Sequence, residues 1–208
     1  MRSALQSDAR PGVSRNAQSR IIRLQQLTLA WMSVECGIAI FSAWKAHSPA
    51  LLAFGSDSFV ELLSAIVVLL QFAPGWTLGR AQAARLGGIL LFVLAGLVTF
   101  TSVTALVRHI RPDTSWSGIG VTIAALVIMP PLSRAKRKAA QGTRNAALAA
   151  DAVQSATCAY LAALTLSGLV INAIVHLRWI DPIAALAAVP IISIEAWRAL
   201  RGSACDCC

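Results

Sequence analysis

Charged residues are scarce in this chain of 208 residues: Asp, Glu, Lys and Arg together make up 13%, and only nine residues are acidic. Hydrophobic residues make up 57% and occur in long runs, which a soluble domain of this size would have to expose to water. The composition therefore excludes an ordinary soluble domain and predicts a protein that spans a lipid bilayer.

Cysteines are also few, and their placement excludes a secreted disulfide framework. Cys36 and Cys158 fall within apolar runs, whereas Cys205, Cys207 and Cys208 end the sequence. The chain shows no cofactor fingerprint and no base that would partner the terminal thiols. We therefore expect no enzyme and no tightly bound cofactor, and a redox enzyme that uses those thiols is the least supported alternative.

The basic residues give the chain a formal net charge of +9, and they cluster between the apolar runs. This distribution is typical of the loops of a membrane protein and does not indicate nucleic-acid binding. The apolar run that follows the basic start is too long for a signal peptide and lacks a small-residue cleavage site. Residues 1–21 are therefore expected to form a disordered cytoplasmic arm that stays attached.

An all-α fold with six transmembrane helices follows from the apolar runs, because a helix needs about 20 apolar residues to cross a bilayer. The predicted spans lie near residues 22–46, 50–73, 84–107, 116–132, 147–173 and 179–200. They form one membrane domain over 22–200, followed by a cysteine-rich cytoplasmic tail over 201–208. The fourth span is expected to end where Pro130 and Pro131 precede the basic loop SRAKRK.

Six spans place most basic residues on one side of the membrane. The other side receives Lys45, Arg108, Arg111 and Arg178. The positive-inside rule then predicts that both termini are cytoplasmic, in a multi-pass protein of the cell (inner) membrane.

Four acidic residues, Glu35, Asp57, Glu61 and Asp151, fall inside predicted spans, where an ionised carboxylate costs at least about 2.5–3.5 kcal/mol. Asp57 and Glu61 are four residues apart, so they project from one face of a helix and could bind a single cation. In a soluble helix this pair would indicate a solvated face, but lipid provides no such solvation.

A second polar face is predicted in ALAADAVQSATCAYL, where Asp151, Gln154, Ser155 and Cys158 recur at helical spacing. Aligning this segment with ALLAFGSDSFVELLSA pairs Asp57 with Gln154 and Glu61 with Cys158. The match indicates a faint internal repeat of the kind found in transporters, and the two polar faces are expected to meet within the membrane.

These segments resemble the cation diffusion facilitator family, whose second span typically reads S-x-A-L-L-A-D-A-x-(H/D)-x-x-x-D and whose fifth reads A-D-A-x-H-x-x-x-D. Here SPALLAFGSDSFVE and ADAVQSATC occupy those frames. The resemblance extends through Glu35 in the first span and WIDPIAAL in the sixth. It implies a six-helix bundle and a transporter of divalent transition metals.

The resemblance also implies a tetrahedral metal site formed by Asp57, Glu61, Gln154 and Cys158. The chain departs from the family pattern where Phe54 replaces the first acid, Gln154 the histidine and Cys158 the last aspartate. Members usually carry a cytoplasmic ferredoxin-like domain after the sixth span, whereas this sequence stops within about ten residues of it. A homodimer assembled through membrane helices alone is therefore expected.

Two carboxylates, an amide oxygen and a thiolate would favour zinc, cadmium or another thiophilic ion. Since protons compete for these ligands, we expect proton-coupled efflux from the cytoplasm. The alternative is a non-transporting membrane protein that binds metal or regulates a partner. Gln154 and Cys158 have a further alternative role, which is packing between helices.

The remaining polar residues leave alternatives open. Asp151 is expected to support a ligand or relay protons, and Glu35 either lines the cation path or bonds a neighbouring helix. Glu195 is expected to pair with Arg198, and Asp181 to cap the sixth helix. Cys205, Cys207 and Cys208 are expected to capture a thiophilic ion, and lipidation or a functionless tail is the alternative.

Overall fold

The computed structural model describes residues 15–70, 80–110, 112–143, 146–175, 177 and 179–201. It contains six helices and, within those ranges, no strand. The helices are α1 (Arg15–Ala46), α2 (Pro49–Leu70), α3 (Arg80–Val107), α4 (Trp116–Thr143), α5 (Ala146–Val175) and α6 (Ile180–Arg201).

All six helices are long and apolar enough to cross a membrane. This confirms the predicted all-α, polytopic fold, with most boundaries within a few residues of those expected from the sequence. Helix α1 begins at Arg15, so residues 15–21 of the expected arm are helical. Residues 1–14 and the cysteine-rich end of the chain, 202–208, lie outside the described residues.

Helix α2 occupies the centre of the bundle, where it packs against α1, α3, α5 and α6. It is also the most deeply buried of the six spans. Around it, α4 packs against α5 and α1, and α3 packs against α6. Phe54 of α2, which stands where the family has its first acid, is fully buried in the apolar core. Four polar side chains of α2, Ser56, Asp57, Ser58 and Glu61, are therefore buried among neighbouring helices.

The fourth helix differs from the sequence prediction, which ended it at Pro130 and Pro131. Helix α4 continues through both prolines to Thr143, so the predicted loop SRAKRK is helical. Its buried positions recur at helical spacing without interruption, from Val121 through Met129 to Lys136. Membrane helices tolerate prolines where neighbouring helices compensate for the lost backbone hydrogen bond, and α4 packs along α5 and α1 here.

One buried carboxylate fastens the start of α6 to the start of α2. Asp181 accepts a hydrogen bond from the Ser48 hydroxyl at 2.7 Å and another from the Ala50 backbone N–H at 3.2 Å. Asp181 therefore caps the N-terminus of α2, whereas the sequence suggested that it caps α6 itself. We call this contact the Asp181 clip.

Helix α3 lies at the periphery of the bundle. Phe92, Val93 and Phe100 are exposed, as expected for side chains in contact with lipid. Gly88 is packed against α6 so closely that a Cβ atom would lie 2.8 Å from the Ala196 carbonyl oxygen. Gly88 of α3 thus serves packing within one chain, and the homodimer stays a prediction.

Candidate cation site

Acidic side chains from three helices converge around the centre of α2. Glu35 of α1, Asp57 and Glu61 of α2, and Asp151 of α5 are each exposed by 1% or less. Helical spacing places Asp57 and Glu61 on one face of α2, one turn apart, and that face looks toward α5. The structure therefore brings together all four of the acids that the sequence placed inside spans.

Asp57 has an unusual environment. Neither of its carboxylate oxygens has a hydrogen-bond partner among the described residues. Its carboxyl group lies within electrostatic range of three other acids, Glu195, Glu61 and Glu35. The Cys158 thiol is also near, but it donates its hydrogen bond to Glu35. Buried polar groups almost always have partners, and an isolated buried charge is strongly unfavourable. Asp57 consequently requires protons or a cation.

Glu35 joins α1 to α2 and α5. Its Oε1 accepts hydrogen bonds from the Ser58 hydroxyl at 2.6 Å and from the Cys158 thiol at 3.3 Å. Its Oε2 accepts a hydrogen bond from the Trp31 indole N–H at 2.5 Å. Glu35 thus bonds neighbouring helices, one of the two roles left open by the sequence, and it fixes Cys158 at the edge of the acidic cluster.

Glu61 belongs to a separate buried network centred on Lys136 of α4. The Lys136 Nζ atom lies 3.2 Å from Glu61 Oε1 and 2.8 Å from Asp151 Oδ2, and all three side chains are completely buried. Lys136 also donates to the Ser155 hydroxyl at 2.8 Å, and Ser155 donates to Glu61 Oε1. We call these four residues the Lys136 network.

The Lys136 network extends to α1 through Gln25. The Gln25 amide nitrogen donates to Asp151 Oδ2 at 2.8 Å, so this oxygen accepts from both Gln25 and Lys136. One oxygen each of Asp151, Glu61 and Gln25 remains buried without a hydrogen-bond partner in the described part of the chain. Charge and hydrogen-bonding capacity are therefore incompletely satisfied around this network.

Sequence reasoning missed Lys136, because it assigned the whole of SRAKRK to a cytoplasmic loop. Arg134, Arg137 and Lys138 are exposed, as that prediction expected, but Lys136 is not. The signal that would have identified it is its spacing. Ser133, Lys136 and Ala140 continue the buried face of α4 beyond the prolines.

Two other residues are placed differently from the sequence hypothesis. Gln154 is only half-buried, and the adjacent Ser155 is the residue that hydrogen-bonds Glu61. Glu195 accepts a hydrogen bond from Thr157 and lies within electrostatic range of both Arg198 and Asp57. Helix α6 therefore contributes an acid to the cluster.

The described side chains do not form a ready-made metal site. Among them, no group of three or more His, Cys, Asp and Glu side chains is arranged to hold one ion. The conformation instead shows an acidic cluster around Asp57 beside the Lys136 network, with Glu61 turned toward the lysine. Such an arrangement can accept a cation only if some of these side chains reorient.

Comparison with known proteins agrees with this architecture. A family model described as the cation efflux transmembrane domain matches residues 26–205, which include most of α1 and the whole of the other five helices. No curated protein matches the chain significantly. The family match covers both acidic segments and confirms the resemblance found in the sequence. The chain is a multi-pass membrane protein that belongs to the cation efflux, or cation diffusion facilitator, family of cation transporters.

Proposed function

We propose that this protein exports a divalent transition-metal ion, such as zinc or cadmium, from the cytoplasm in exchange for protons. The observation that carries the proposal is the environment of Asp57. This carboxyl group is buried at the centre of the bundle, has no hydrogen-bond partner in the described residues, and lies within electrostatic range of three further acids. A divalent cation would neutralise several of these groups at once.

The ligands would come from α2 and α5. Asp57 and Glu61 supply carboxylate oxygens, Cys158 supplies sulfur, and a reorientation of the half-buried Gln154 would add an amide oxygen. Sulfur among the ligands favours zinc and cadmium over magnesium or calcium, which prefer oxygen alone. Before metal binds, Glu35 would orient Cys158 by accepting a hydrogen bond from its thiol.

Proton exchange follows from the same ligand chemistry. A carboxylate or thiol must release its proton before it binds a metal ion, so binding weakens as the pH falls. Metal would therefore bind from the less acidic cytoplasm and leave toward a more acidic exterior, where protons replace it. Asp151 and Glu35, each of which joins α5 to α1 through a hydrogen bond, would relay protons to the site.

The test is zinc and cadmium flux in proteoliposomes, measured with an entrapped metal-sensitive dye, with and without a pH gradient. Wild-type protein should transport, and the gradient should accelerate flux. Asp57→Asn should reduce flux to the level of empty liposomes. The matched control is Asp113→Asn, which changes an exposed acid in the α3–α4 connection and should transport like the wild type.

Two outcomes would contradict the proposal. Wild-type flux in a well-folded Asp57→Asn variant would show that the transport site is not on α2. Metal binding without flux, at any pH gradient, would favour the alternative of a metal-binding or regulatory membrane protein.

A further inference from the structure

Among the basic side chains whose burial the structure describes, Lys136 alone is buried. It is a lysine with 0% exposure within a membrane bundle, and its ammonium group reaches two carboxylates on two other helices. Exposed lysines pay no such desolvation cost, and buried ones are rare unless they are paired. The role of Lys136 therefore depends on the two carboxylates with which it pairs.

Glu61 is the partner that links Lys136 to the site. Lys136 and Ser155 both donate to Oε1 of Glu61, whereas Oε2 is buried without a partner. A metal ion that binds Glu61 would lie close to the ammonium group, and two adjacent cations repel each other strongly in a medium of low dielectric constant. Occupation of Glu61 by the metal and by Lys136 thus oppose each other.

Asp151 provides a second anionic partner for the ammonium group of Lys136. Its Oδ2 lies 2.8 Å from Lys136 Nζ, closer than Glu61 does at 3.2 Å, and Gln25 holds the same oxygen from α1. When Glu61 turns away, Lys136 keeps an anionic partner and is not left as an isolated charge. The lysine can therefore release Glu61 without leaving the network.

We propose that Lys136 is a tethered competitor of the transported ion: it holds Glu61 while the site is empty and yields it when metal binds. This inference rests on the proposed function. The competition weakens metal binding and thereby speeds release, because the ammonium group reclaims Glu61 as the ion departs. Lys136 is in this sense a positioning residue, which acts on the ion through Glu61.

The test measures zinc binding by isothermal titration calorimetry and zinc transport in proteoliposomes, on the same purified proteins. Lys136→Met preserves the length of the side chain and removes its charge. The Kd should fall by about tenfold or more, the lower end of the coupling found for close charge pairs. The maximal transport rate should fall as well, because release slows. Lys136→Arg retains the charge and should keep both values near those of the wild type.

The matched control is Lys138→Met, which removes the same charge from an exposed position on the same helix. It should leave the Kd unchanged. An equal tightening in Lys138→Met would show a general effect of charge and would overturn the proposal. Zinc binding that is unchanged or weaker in Lys136→Met would also overturn the proposal, because the lysine would then not compete with the ion. A failure of that variant to fold would do the same, because it would assign Lys136 to stability.

A second variant tests the same competition at Asp151, the other partner of Lys136. Asp151→Asn removes the alternative carboxylate, so Lys136 should hold Glu61 more firmly and the Kd should rise several-fold. An unchanged Kd would overturn the proposal. The two proposals fail differently: a wild-type protein that neither binds nor transports zinc overturns both, whereas normal wild-type behaviour with an unaltered Lys136→Met overturns only this inference.

Discussion

Asp57 and Glu61 lie one turn apart on α2, yet the structure predicts that their removal changes stability in opposite directions. Asp57→Ala deletes a buried carboxyl group that has no hydrogen-bond partner in the described residues. Leaving such a group buried costs about 1–3 kcal/mol, so its removal should raise the free energy of unfolding by a similar amount, less a small cavity term. We expect a Tm increase of about 2–4 °C per kcal/mol.

Glu61→Ala instead breaks a buried ion pair. Loss of one partner from such a pair costs about 3–5 kcal/mol, and because Lys136 keeps Asp151 at 2.8 Å, we expect the lower end of that range. The Tm should therefore fall. Both variants should nevertheless lose transport, since each removes a proposed ligand.

The assay pairs thermal unfolding of the purified variants in one mild detergent with zinc flux in proteoliposomes. A more stable Asp57→Ala and a less stable Glu61→Ala, both inactive, would support the two environments described here. Equal destabilisation by both substitutions would refute the reasoning, because it would mean that Asp57 has a stabilising partner. Full flux in either variant would refute its assignment as a ligand.

The remaining predictions concern selectivity, delivery, stability and assembly. Cys158→Ser should weaken cadmium and zinc transport most, and Cys158→Asp should move preference toward zinc or manganese; an unchanged ranking of metals in both variants would assign the thiol to packing. Deletion of residues 205–208 should slow uptake at low metal concentration without changing that ranking, as measured by initial rates. Asp181→Ala should lower stability by about 0.5–2 kcal/mol, measured by thermal unfolding, because α2 loses its cap at Ala50. Mass measurement in lipid and mild detergent should give a homodimer, and a single-subunit mass would contradict it.

The six spans could be predicted from the sequence because each depends on the length and hydropathy of a continuous segment. The pairing of Asp57 with Glu61 could be predicted for a similar reason, since positions four apart share a face in any helix. Both are local properties, and neither requires knowledge of how the helices pack.

The errors arose where packing between helices decides the outcome. Lys136 is buried only because α2 and α5 bring Glu61 and Asp151 to it. The segment SRAKRK by itself indicates only that its residues are charged. The prolines of α4 predict a helix end, although neighbouring helices support the helix through them. Family spacing likewise favoured Gln154 as the site residue, whereas the rotation of α5 places Ser155 against Glu61.

The Asp181 clip also constrains how the bundle can move. It joins α2 to α6 at one end, through Ser48 and the backbone of Ala50. Glu61 lies roughly 16 Å farther along α2, at a rise of about 1.5 Å per residue. If α2 tilts by about 10° with the clip as its pivot, simple leverage carries Glu61 through roughly 3 Å. That displacement is comparable to the 3.2 Å between Glu61 and Lys136. A small rocking motion, hinged at the far end of the helix, is therefore sufficient to separate the two.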